Sequence, residues 1–175
     1  AGDGVTLIEK NEKLGKKLYI TGKGRCNVTN DCDDSVFFEN VISNPKFLYS
    51  AYYGFTSSDV MTFFEELGLQ LKTERGNRVF PMSDHSSDVT VALKLELNRL
   101  KVNILYETRL TDVLIDGDKC IGVRVSSKSG KTDIYADRVI LATGGKSYPS
   151  CGADGDTWLI ADHIGIATKP AEPSL

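Results

Sequence analysis

A stretch near the N-terminus combines glycines with basic side chains in a pattern suited to an anionic ligand. It runs from Leu14 to Asn30 and reads LGKKLYITGKGRCNVTN. Glycine allows the backbone to approach a ligand closely and to present its N–H groups. Lysine and arginine neutralise phosphate, and the threonine and asparagine side chains offer neutral hydrogen bonds. This density of small, basic and amide groups favours a ligand-binding loop over an ordinary polar surface loop.

A carboxylate directly follows a short apolar run. Val5–Ile8 is apolar and β-branched, which predicts a buried strand, and Glu9 comes next. In dinucleotide-binding folds, an acid at the end of a strand accepts hydrogen bonds from ribose hydroxyls. An ordinary surface acid has the same appearance in a sequence, so Glu9 alone leaves both interpretations open.

A second glycine-rich stretch lies near the C-terminus, from Val139 to Asp156, and reads VILATGGKSYPSCGADGD. The apolar run Val139–Leu141 predicts a buried strand that leads into Ala142–Gly145. Open α/β sheets bind ligands at the carboxyl ends of their strands, and a glycine pair lets the backbone pass beside a flat cofactor. A plain strand-to-turn junction also ends in glycines, so that alternative stays open.

The apolar periodicity predicts the elements that position these stretches. Helices are expected near residues 45–53, 57–67, 86–100 and 155–164, with Ser57 or Ser58 as the N-cap of the second. Residues 9–30 are expected to be irregular. Short strands are expected within 69–81 on both sides of Gly76, at 102–106, 110–113, 121–125 and 132–136. Helices mixed with buried strands predict an α/β fold.

Composition excludes several classes of protein. The 175 residues are 41% hydrophobic and 26% charged, which is typical of a folded domain. The formal net charge is −3 and no five like charges are consecutive, so no nucleic-acid partner is expected. Apolar runs are too short to cross a bilayer, and no signal peptide pattern is present, so we expect no membrane partner and a cytoplasmic location.

The cysteines predict free thiols rather than a metal site. None of Cys26, Cys32, Cys120 and Cys151 has CxxC spacing, and the chain contains two histidines. A structural zinc site is therefore not expected, and free thiols agree with a reducing compartment.

Three segments together resemble one known family. They are TGKGRCNVTN at residues 21–30, RVFPMS at 78–83 and ILATGGKSYPSCGADGD at 140–156. These segments are similar to the BaiN-like, or HI0933-like, NAD(P)/FAD-dependent oxidoreductases, and the resemblance extends from Val5 to Leu175. It implies a Rossmann-like FAD-binding domain of the two-dinucleotide-binding-domain flavoprotein type, with a small β-meander.

The resemblance also implies that the chain is incomplete. The family's first strand, its GxGxxG loop and its C-terminal portion have no counterpart here, and an inserted second domain would begin near residues 170–175. Residues 1–175 are therefore expected to form a partial FAD-binding domain. Such a chain alone is expected to be poorly soluble, to lose FAD and to be inactive.

The resemblance implies cofactor contacts but no catalytic residue and no metal ligand. Glu9 is implied as the ribose-binding acid with Lys10 beside it, and Leu110 as the point where a strand backbone meets the adenine edge. The chain departs from the family at Lys23, where glycine is frequent, and around Asp154–Thr157, where the outer residues of a TGDG element differ. The other implied contacts are Lys16, Lys17, Gly22, Gly24, Arg25, Cys26, Asn27, Ala142, Thr143, Gly144, Gly145, Gly155 and Asp156.

Three further residues have a functional and a structural interpretation. For Cys26, a packing role is favoured over a redox partner of the flavin. For His85, a capping or surface role is favoured over catalysis. For Arg78, contact with a substrate anion and a structural ion pair are equal alternatives.

The resemblance implies an FAD-dependent oxidoreductase in which hydride passes through the bound flavin between NAD(P)H or an organic substrate and an acceptor. One alternative is a non-enzymatic remnant that binds nucleotide weakly or not at all, and another is a flavin oxidase of small amines. A flavoprotein that modifies tRNA is disfavoured by the mild acidity of the chain. The small-molecule substrate and the oligomeric state stay open.

Overall fold

The computed structural model describes residues 4–171. The chain divides into two compact units. Unit one comprises Ala1–Lys17 and Lys101–Leu175, and unit two is Leu18–Leu100. The single partial domain expected from the sequence stays a prediction, and the expected start of an inserted domain near 170–175 lies largely outside the described residues.

Short strands and short helices alternate along the described part of the chain. The strands are β1 Thr6–Ile8, β2 Thr29–Asn30, β3 Leu71–Glu74, β4 Arg78–Pro81, β5 Asn103–Leu105, β6 Arg109–Asp116, β7 Lys119–Ser127 and β8 Gly130–Tyr135. The α-helices are α1 Lys16–Ile20, α2 Asp34–Glu39, α3 Tyr49–Gly54, α4 Ser57–Glu66, α5 Ser86–Arg99 and α6 Asp156–His163, and 3₁₀ turns cover Thr21–Gly24, Pro45–Leu48 and Pro149–Cys151.

Unit one contains a parallel strand pair and an antiparallel meander around one core. β1 pairs in parallel with β5, with Leu7 opposite Ile104. β6, β7 and β8 form the meander in that order. Ile160 of α6 is buried together with three valines of the meander, and Ile8 of β1 packs against them, so the parallel pair and the meander share this core. The three valines are Val113, Val123 and Val125.

Unit two is built on the antiparallel sheet β2–β4–β3. The side chains of Val79 and Phe80 on the central strand are buried. A second core forms from Cys26, Leu69, Val89 and Ala92, with apolar residues of α4 and β3 packed around it.

The structure confirms the mixed α/β fold, the meander and the four predicted helices, and it corrects two local expectations. Helix α4 is capped by Thr56, not by Ser57 or Ser58, because Thr56 has extended backbone and forms a reciprocal capping box with Asp59. The Thr56 hydroxyl accepts a hydrogen bond from Asp59 N at 3.2 Å, and the Asp59 carboxylate accepts one from Thr56 N at 2.8 Å. Residues 9–30 are not wholly irregular, since they contain α1, a 3₁₀ turn and β2.

The prediction of a strand at Val139–Leu141 is wrong. This segment has no regular secondary structure; Val139 and Leu141 pack against the core of unit one, whereas Ile140 is 90% exposed. A strand needs a neighbour for its backbone N–H and C=O groups, and no strand among residues 4–171 pairs with this segment. The apolar side chains alone therefore do not make it a strand.

Gly122→Ala is expected to destabilise the meander strongly. Gly122 has φ +152°, and a Cβ atom there would lie 2.2 Å from Ile134 O and 2.8 Å from Tyr135 Cα, both backbone atoms of β8. Strain and overpacking together are expected to cost about 3–5 kcal/mol, which lowers the melting temperature by roughly 10 °C in a chain of this size.

Gly130→Ala is the matched control for thermal denaturation followed by circular dichroism. Gly130 also has a positive φ, +108°, but no atom lies within 4 Å of the place that a Cβ atom would occupy there, so only the backbone strain of about 1–2 kcal/mol applies. Equal losses in the two variants would contradict the close approach of β7 and β8.

Candidate functional site

Glu9 lies where the sequence places it, at the carboxyl end of β1. Its N–H donates to Leu105 O at 2.9 Å, and its carbonyl accepts from Thr108 N at 3.0 Å. The first bond extends the parallel β1–β5 pairing, and the second ties Glu9 to the residues that lead into β6. The carboxylate is thereby placed at the end of a parallel strand pair, where α/β folds bind ligands.

Four charged side chains of unit one form a closed network, which we call the Lys10–Asp156 network. Lys10 Nζ lies 2.7 Å from Asp154 Oδ1 and 3.0 Å from Asp156 Oδ2. Arg109 Nη2 contacts the same two carboxylates, 3.4 Å from Asp154 Oδ2 and hydrogen-bonded to Asp156 Oδ1. Because the Asp156 side chain is 8% exposed, its charge requires these cations.

The network shifts the pKa of two of its members, Asp154 and Arg109. The hydrogen bond from Lys10 is the largest influence on Asp154 and holds the pKa of that carboxyl below its ordinary value. The hydrogen bond to Asp156 raises the pKa of the Arg109 guanidinium. Each of these two shifts favours the charged form, so Asp154 and Arg109 carry opposite charges at neutral pH.

Two glycines in the turn before α6 have left-handed backbone, and a lysine side chain lies against each of them. At Gly152, with φ +96°, a Cβ atom would lie 2.7 Å from Lys10 Cε. At Gly155, with φ +94°, a Cβ atom would lie 2.8 Å from Lys146 Cε. The backbone conformation selects glycine here, and a Cβ atom would in addition displace the end of a lysine side chain.

Side-chain hydroxyls hold the Ala142–Gly145 turn. Thr143 Oγ1 and Thr157 Oγ1 are hydrogen-bonded, and Thr157 Oγ1 also donates to Gly144 O at 3.3 Å. A Cβ atom at Gly144 would make ordinary contact with Ala153 at 3.5 Å, whereas nothing lies within 4 Å of one at Gly145. The backbone at Gly145 is therefore open to a ligand.

The two lysines of α1 differ in their partners. Lys17 Nζ donates to Ser147 Oγ at 2.8 Å and lies 5.3 Å from the centre of the Tyr148 ring, so it contacts the second glycine-rich stretch. Lys16 pairs locally with Glu12 at 2.7 Å.

Leu110 lies near the start of β6, opposite Val125. The register shifts between Leu110 and Asp112, which marks a bulge. Within residues 4–171, β6 has a strand neighbour on one side alone, so the outer edge of its backbone faces away from the meander.

The remaining implied contacts, Gly22 to Asn27, belong to unit two and form a tight turn. Gly22 and Lys23 both have left-handed backbone, with φ +57° and +56°. A Cβ atom at Gly22 would lie 2.9 Å from Asn27 N, and Asn27, with its amide nitrogen facing Val79 O and Thr29 O, donates to them at 3.1 and 3.0 Å. A Cβ atom at Gly24 would lie 3.9 Å from Tyr19 O, which is an ordinary van der Waals distance, so this position is less crowded than Gly22.

The Arg25 guanidinium is paired with two acids of unit two. Its Nη1 and Nη2 donate to the two Glu74 oxygens at 3.2 and 2.5 Å, and its Nε donates to Asp84 Oδ1 at 2.7 Å. The guanidinium also lies 4.1 Å from the centre of the Phe80 ring, while Lys72 donates to the other Asp84 oxygen at 2.6 Å. This bidentate arrangement holds the turn rather than leaving a cation for phosphate.

Cys26 is a core residue in the structure. Its side chain is 2% exposed and packs with Leu69, Val89 and Ala92. Burial raises the pKa of its thiol, which disfavours the reactive thiolate. The packing role favoured from the sequence agrees with this placement.

His85 and Arg78 are both exposed. His85 occupies the N-cap of α5, but its side chain makes no capping hydrogen bond. Arg78 Nε donates to Arg75 O at 3.2 Å, and its guanidinium lies 5.9 Å from the centre of the Phe80 ring.

The structure divides the implied contacts between the two units. Unit one brings Glu9, Lys10 and Asp156 into one neighbourhood with Gly155. Sequence reasoning missed Asn11, Arg109 and Asp154. The Lys10–Asp154 contact joins residues 144 positions apart, so the sequence does not reveal it. The available local signals were the position of Asn11 two residues after Glu9 and that of Asp154 two residues before Asp156.

Two features are absent from the part of the chain that the structure describes. Between residues 4 and 171, no helix has the length and apolar character needed to cross a membrane. Within the same range, no group of three His, Cys, Asp or Glu side chains is arranged to hold a metal ion.

The sequence profile described as HI0933-like protein Rossmann domain matches residues 1–171. The chain belongs to the HI0933-like family. This confirms the resemblance and, with it, the Rossmann-like fold of the kind that binds FAD in flavoproteins.

Relatives of this HI0933-like chain include enzymes with different substrates in their names. It is 34% identical over 171 residues to a 3-dehydro-bile acid delta(4,6)-reductase of Clostridium scindens, which covers 98% of this chain and 40% of the relative. It is 28% identical over 175 residues to the ribosomal RNA dihydrouridine synthases of Haemophilus influenzae and Escherichia coli, which covers 99% and 100% of this chain and 42% of each relative. The chain thus spans about two fifths of the length of these relatives.

Two solved structures share the fold of the HI0933-like chain. One is the open conformation of a flavocytochrome c3 fumarate reductase, with a TM-score of 0.61 and 20% identity over 91% of this chain and 36% of that one. The other is THI4 of Thermovibrio ammonificans, with a TM-score of 0.52 and 12% identity over 80% of this chain and 48% of that one.

Asp154→Asn is expected to lower stability at neutral pH but not in strong acid. The folded-state pKa of Asp154 is depressed, so its contribution is present above the unfolded value of about 3.9 and is lost as the pH falls through the lower folded value. At pH 7 the variant should melt roughly 2–4 °C below the wild type, for a loss of about 1 kcal/mol. Melting curves from pH 7 to pH 2.5 test this, with Asp137→Asn as the exposed control; a difference that does not shrink as the pH falls below about 3.9 would contradict the ion pair.

Arg25→Lys is expected to loosen the 21–27 turn although it keeps the charge. Lysine does not reproduce the fork to Glu74, so the hydrogen bond from Cys26 N to Thr21 O, 3.0 Å long, should open more often. We expect amide hydrogen exchange at Cys26 to accelerate by about tenfold. Arg78→Lys is the matched control, and equal exchange in both variants would show that the fork does not hold the turn.

Proposed function

We propose that this chain binds FAD and forms the cofactor-binding part of a flavin-dependent oxidoreductase. The observation that carries the proposal is the position of Glu9 at the carboxyl end of the parallel β1–β5 pair in a member of the HI0933-like family. A carboxylate at that place accepts ribose hydroxyls in dinucleotide-binding folds.

The donor and acceptor groups of unit one fit an adenine dinucleotide. Glu9 supplies an acceptor for ribose hydroxyls, the outer edge of β6 at Leu110 supplies backbone groups for the adenine edge, and Gly145 leaves open space beside its backbone. Glu74 and Asp84 already take three of the five N–H donors of Arg25. In this proposal its role toward the cofactor is therefore to shape the 21–27 turn.

In this proposal the chain's own residues bind and position. Glu9 would hold the ribose, and the Ala142–Gly145 backbone would lie beside the cofactor. Lys10 and Asp156 would act through the turn that they fix, since their charges neutralise each other. FAD, when bound, supplies hydride transfer between NAD(P)H or an organic substrate and an acceptor.

The comparisons support a shared cofactor role more than a shared substrate. The bile acid reductase and the ribosomal RNA dihydrouridine synthases match nearly the whole of this chain, yet their names give chemically unrelated substrates. What such relatives have in common over the matched segment is expected to be cofactor binding. We propose a small organic substrate, given the higher identity to the bile acid reductase, and no nucleic-acid partner, given the net charge of −3.

The four free cysteines support a cytoplasmic location as part of this proposal.

The remnant hypothesis is the second candidate, and one observation favours it. Residues 139–145, which would pass beside the cofactor, form no strand and pair with none within the described range. A chain with that segment unpaired is expected to bind nucleotide weakly, as the remnant hypothesis requires.

Titration with FAD, followed by quenching of flavin fluorescence, separates the two candidates. For an FAD-binding chain we expect saturable binding below about 1 mM that weakens roughly tenfold in Glu9→Gln, since a hydrogen bond to a carboxylate is lost. Glu12→Gln is the matched control and should bind as the wild type does, because Glu12 pairs with Lys16.

Absence of saturable binding, or equal binding by the two variants, would contradict the proposal and favour the remnant. The isolated chain is expected to lose FAD during gel filtration and to show no turnover. Oxidation of small amines is the alternative chemistry, and consumption of oxygen with such amines tests it.

A further inference from the structure

The carboxylate of Glu9 is held by the residue two positions further along the chain. Asn11 donates two hydrogen bonds to the same oxygen, Glu9 Oε1, from its backbone N at 2.8 Å and from its side-chain Nδ2 at 2.7 Å. A glutamate side chain has three rotatable bonds, so two converging donors restrict an otherwise mobile group. Both contacts use Oε1 and leave Oε2 outside the Asn11 interaction.

Asn11 itself is anchored on two other segments of unit one. Its Nδ2 also donates to Cys151 O at 3.3 Å, and its backbone O accepts from Glu107 N at 3.1 Å. A Cβ atom at Gly152 would lie 3.1 Å from this Nδ2. The side chain of Asn11 therefore lies between the Glu9 carboxylate and the turn at Cys151–Gly152.

We propose that Asn11 is a positioning residue that orients Glu9 for a ribose hydroxyl and couples it to the Cys151–Gly152 turn. This inference rests on the proposed function. Lys10 reinforces the coupling, because its own ion pairs with Asp154 and Asp156 hold the same turn from the neighbouring position. Three consecutive residues thus have distinct roles. Glu9 binds the ligand, Lys10 holds the turn, and Asn11 connects the Glu9 carboxylate to that turn.

The opposing interpretation is that Asn11 merely closes a local turn. The two interpretations differ in what a variant loses. If Asn11 only closes a turn, its removal weakens every adenine nucleotide equally. If it orients Glu9, its removal costs the preference for a nucleotide with a 2′-hydroxyl.

The first measurement compares the binding of ADP and 2′-deoxy-ADP to the whole chain by NMR titration. The wild type should prefer ADP by about tenfold, because one hydrogen bond to a carboxylate is at stake. Asn11→Ala and Asn11→Asp should each reduce this preference to about twofold or less, since the first removes the side-chain donor and the second replaces it with a like charge of the same shape, which leaves the backbone N–H of residue 11 as the remaining donor to Oε1.

Asn103→Asp is the matched control. It makes the same change of charge on the neighbouring strand, where Asn103 Nδ2 reaches Thr6 Oγ1 at 3.4 Å and does not contact Glu9. The control should keep the preference of the wild type. Circular dichroism of each variant confirms that it is folded.

The second measurement needs no ligand. Side-chain couplings of Glu9, read by NMR on the isotope-labelled chain, should report one dominant rotamer in the wild type and averaging in Asn11→Asp. A single fixed rotamer in the variant would overturn the inference, and so would an unchanged ADP preference. If the wild type binds neither nucleotide, the proposed function fails, and the rotamer measurement still decides whether Asn11 holds Glu9.

Discussion

The buried carboxylate of Asp156 sets the condition that the rest of unit one must meet. A charge removed from water is costly unless cations and hydrogen bonds surround it. Lys10 and Arg109 meet that condition, and because they come from the end of β1 and the start of β6, the same interaction ties both strands to the first turn of α6. The ion pairs of Lys10 and Arg109 with Asp156 thus bring together the segments that form the candidate ligand site.

The two glycine-rich stretches solve different steric problems. In unit one, Gly152 and Gly155 have left-handed backbone, and the ends of long lysine side chains lie against them. In unit two, Gly22 is needed because a Cβ atom there would lie 2.9 Å from the backbone N of Asn27 in the same turn. The first arrangement depends on side chains from elsewhere in the unit and the second on local backbone, although both look alike as motifs in the sequence.

The local part of the fold was predictable and the non-local part was not. Helix α5 and the meander follow from apolar periodicity, which is carried by neighbouring residues. Val139–Leu141 was predicted as a strand from its side chains, but strand formation depends on a partner that periodicity does not reveal. The N-cap of α4 was ambiguous in the sequence because Thr56, Ser57 and Ser58 all carry hydroxyl groups. The reciprocal hydrogen bonds between Thr56 and Asp59 identify Thr56 as the cap.

In the candidate site, too, local features were predictable from the sequence and non-local contacts were not. The family motifs led directly to Glu9 and to the 21–27 turn. The resemblance implied Arg25 as a cofactor contact, yet its partners lie 49 and 59 residues away, so its engagement with acids was not visible in the sequence. Sequence similarity identifies the segment that lies near the cofactor. The side-chain contacts in the structure distinguish a residue available to the ligand from one that holds the segment in place.

The contact between Gly152 and Lys10 constrains how this protein can evolve. A larger residue at position 152 collides with the lysine stem, and a shorter residue at position 10 removes a cation from two carboxylates. Neither substitution is neutral by itself, so accepted changes at these positions should arrive together or in a fixed order. Such epistasis makes the residue allowed at each of the two positions depend on the other.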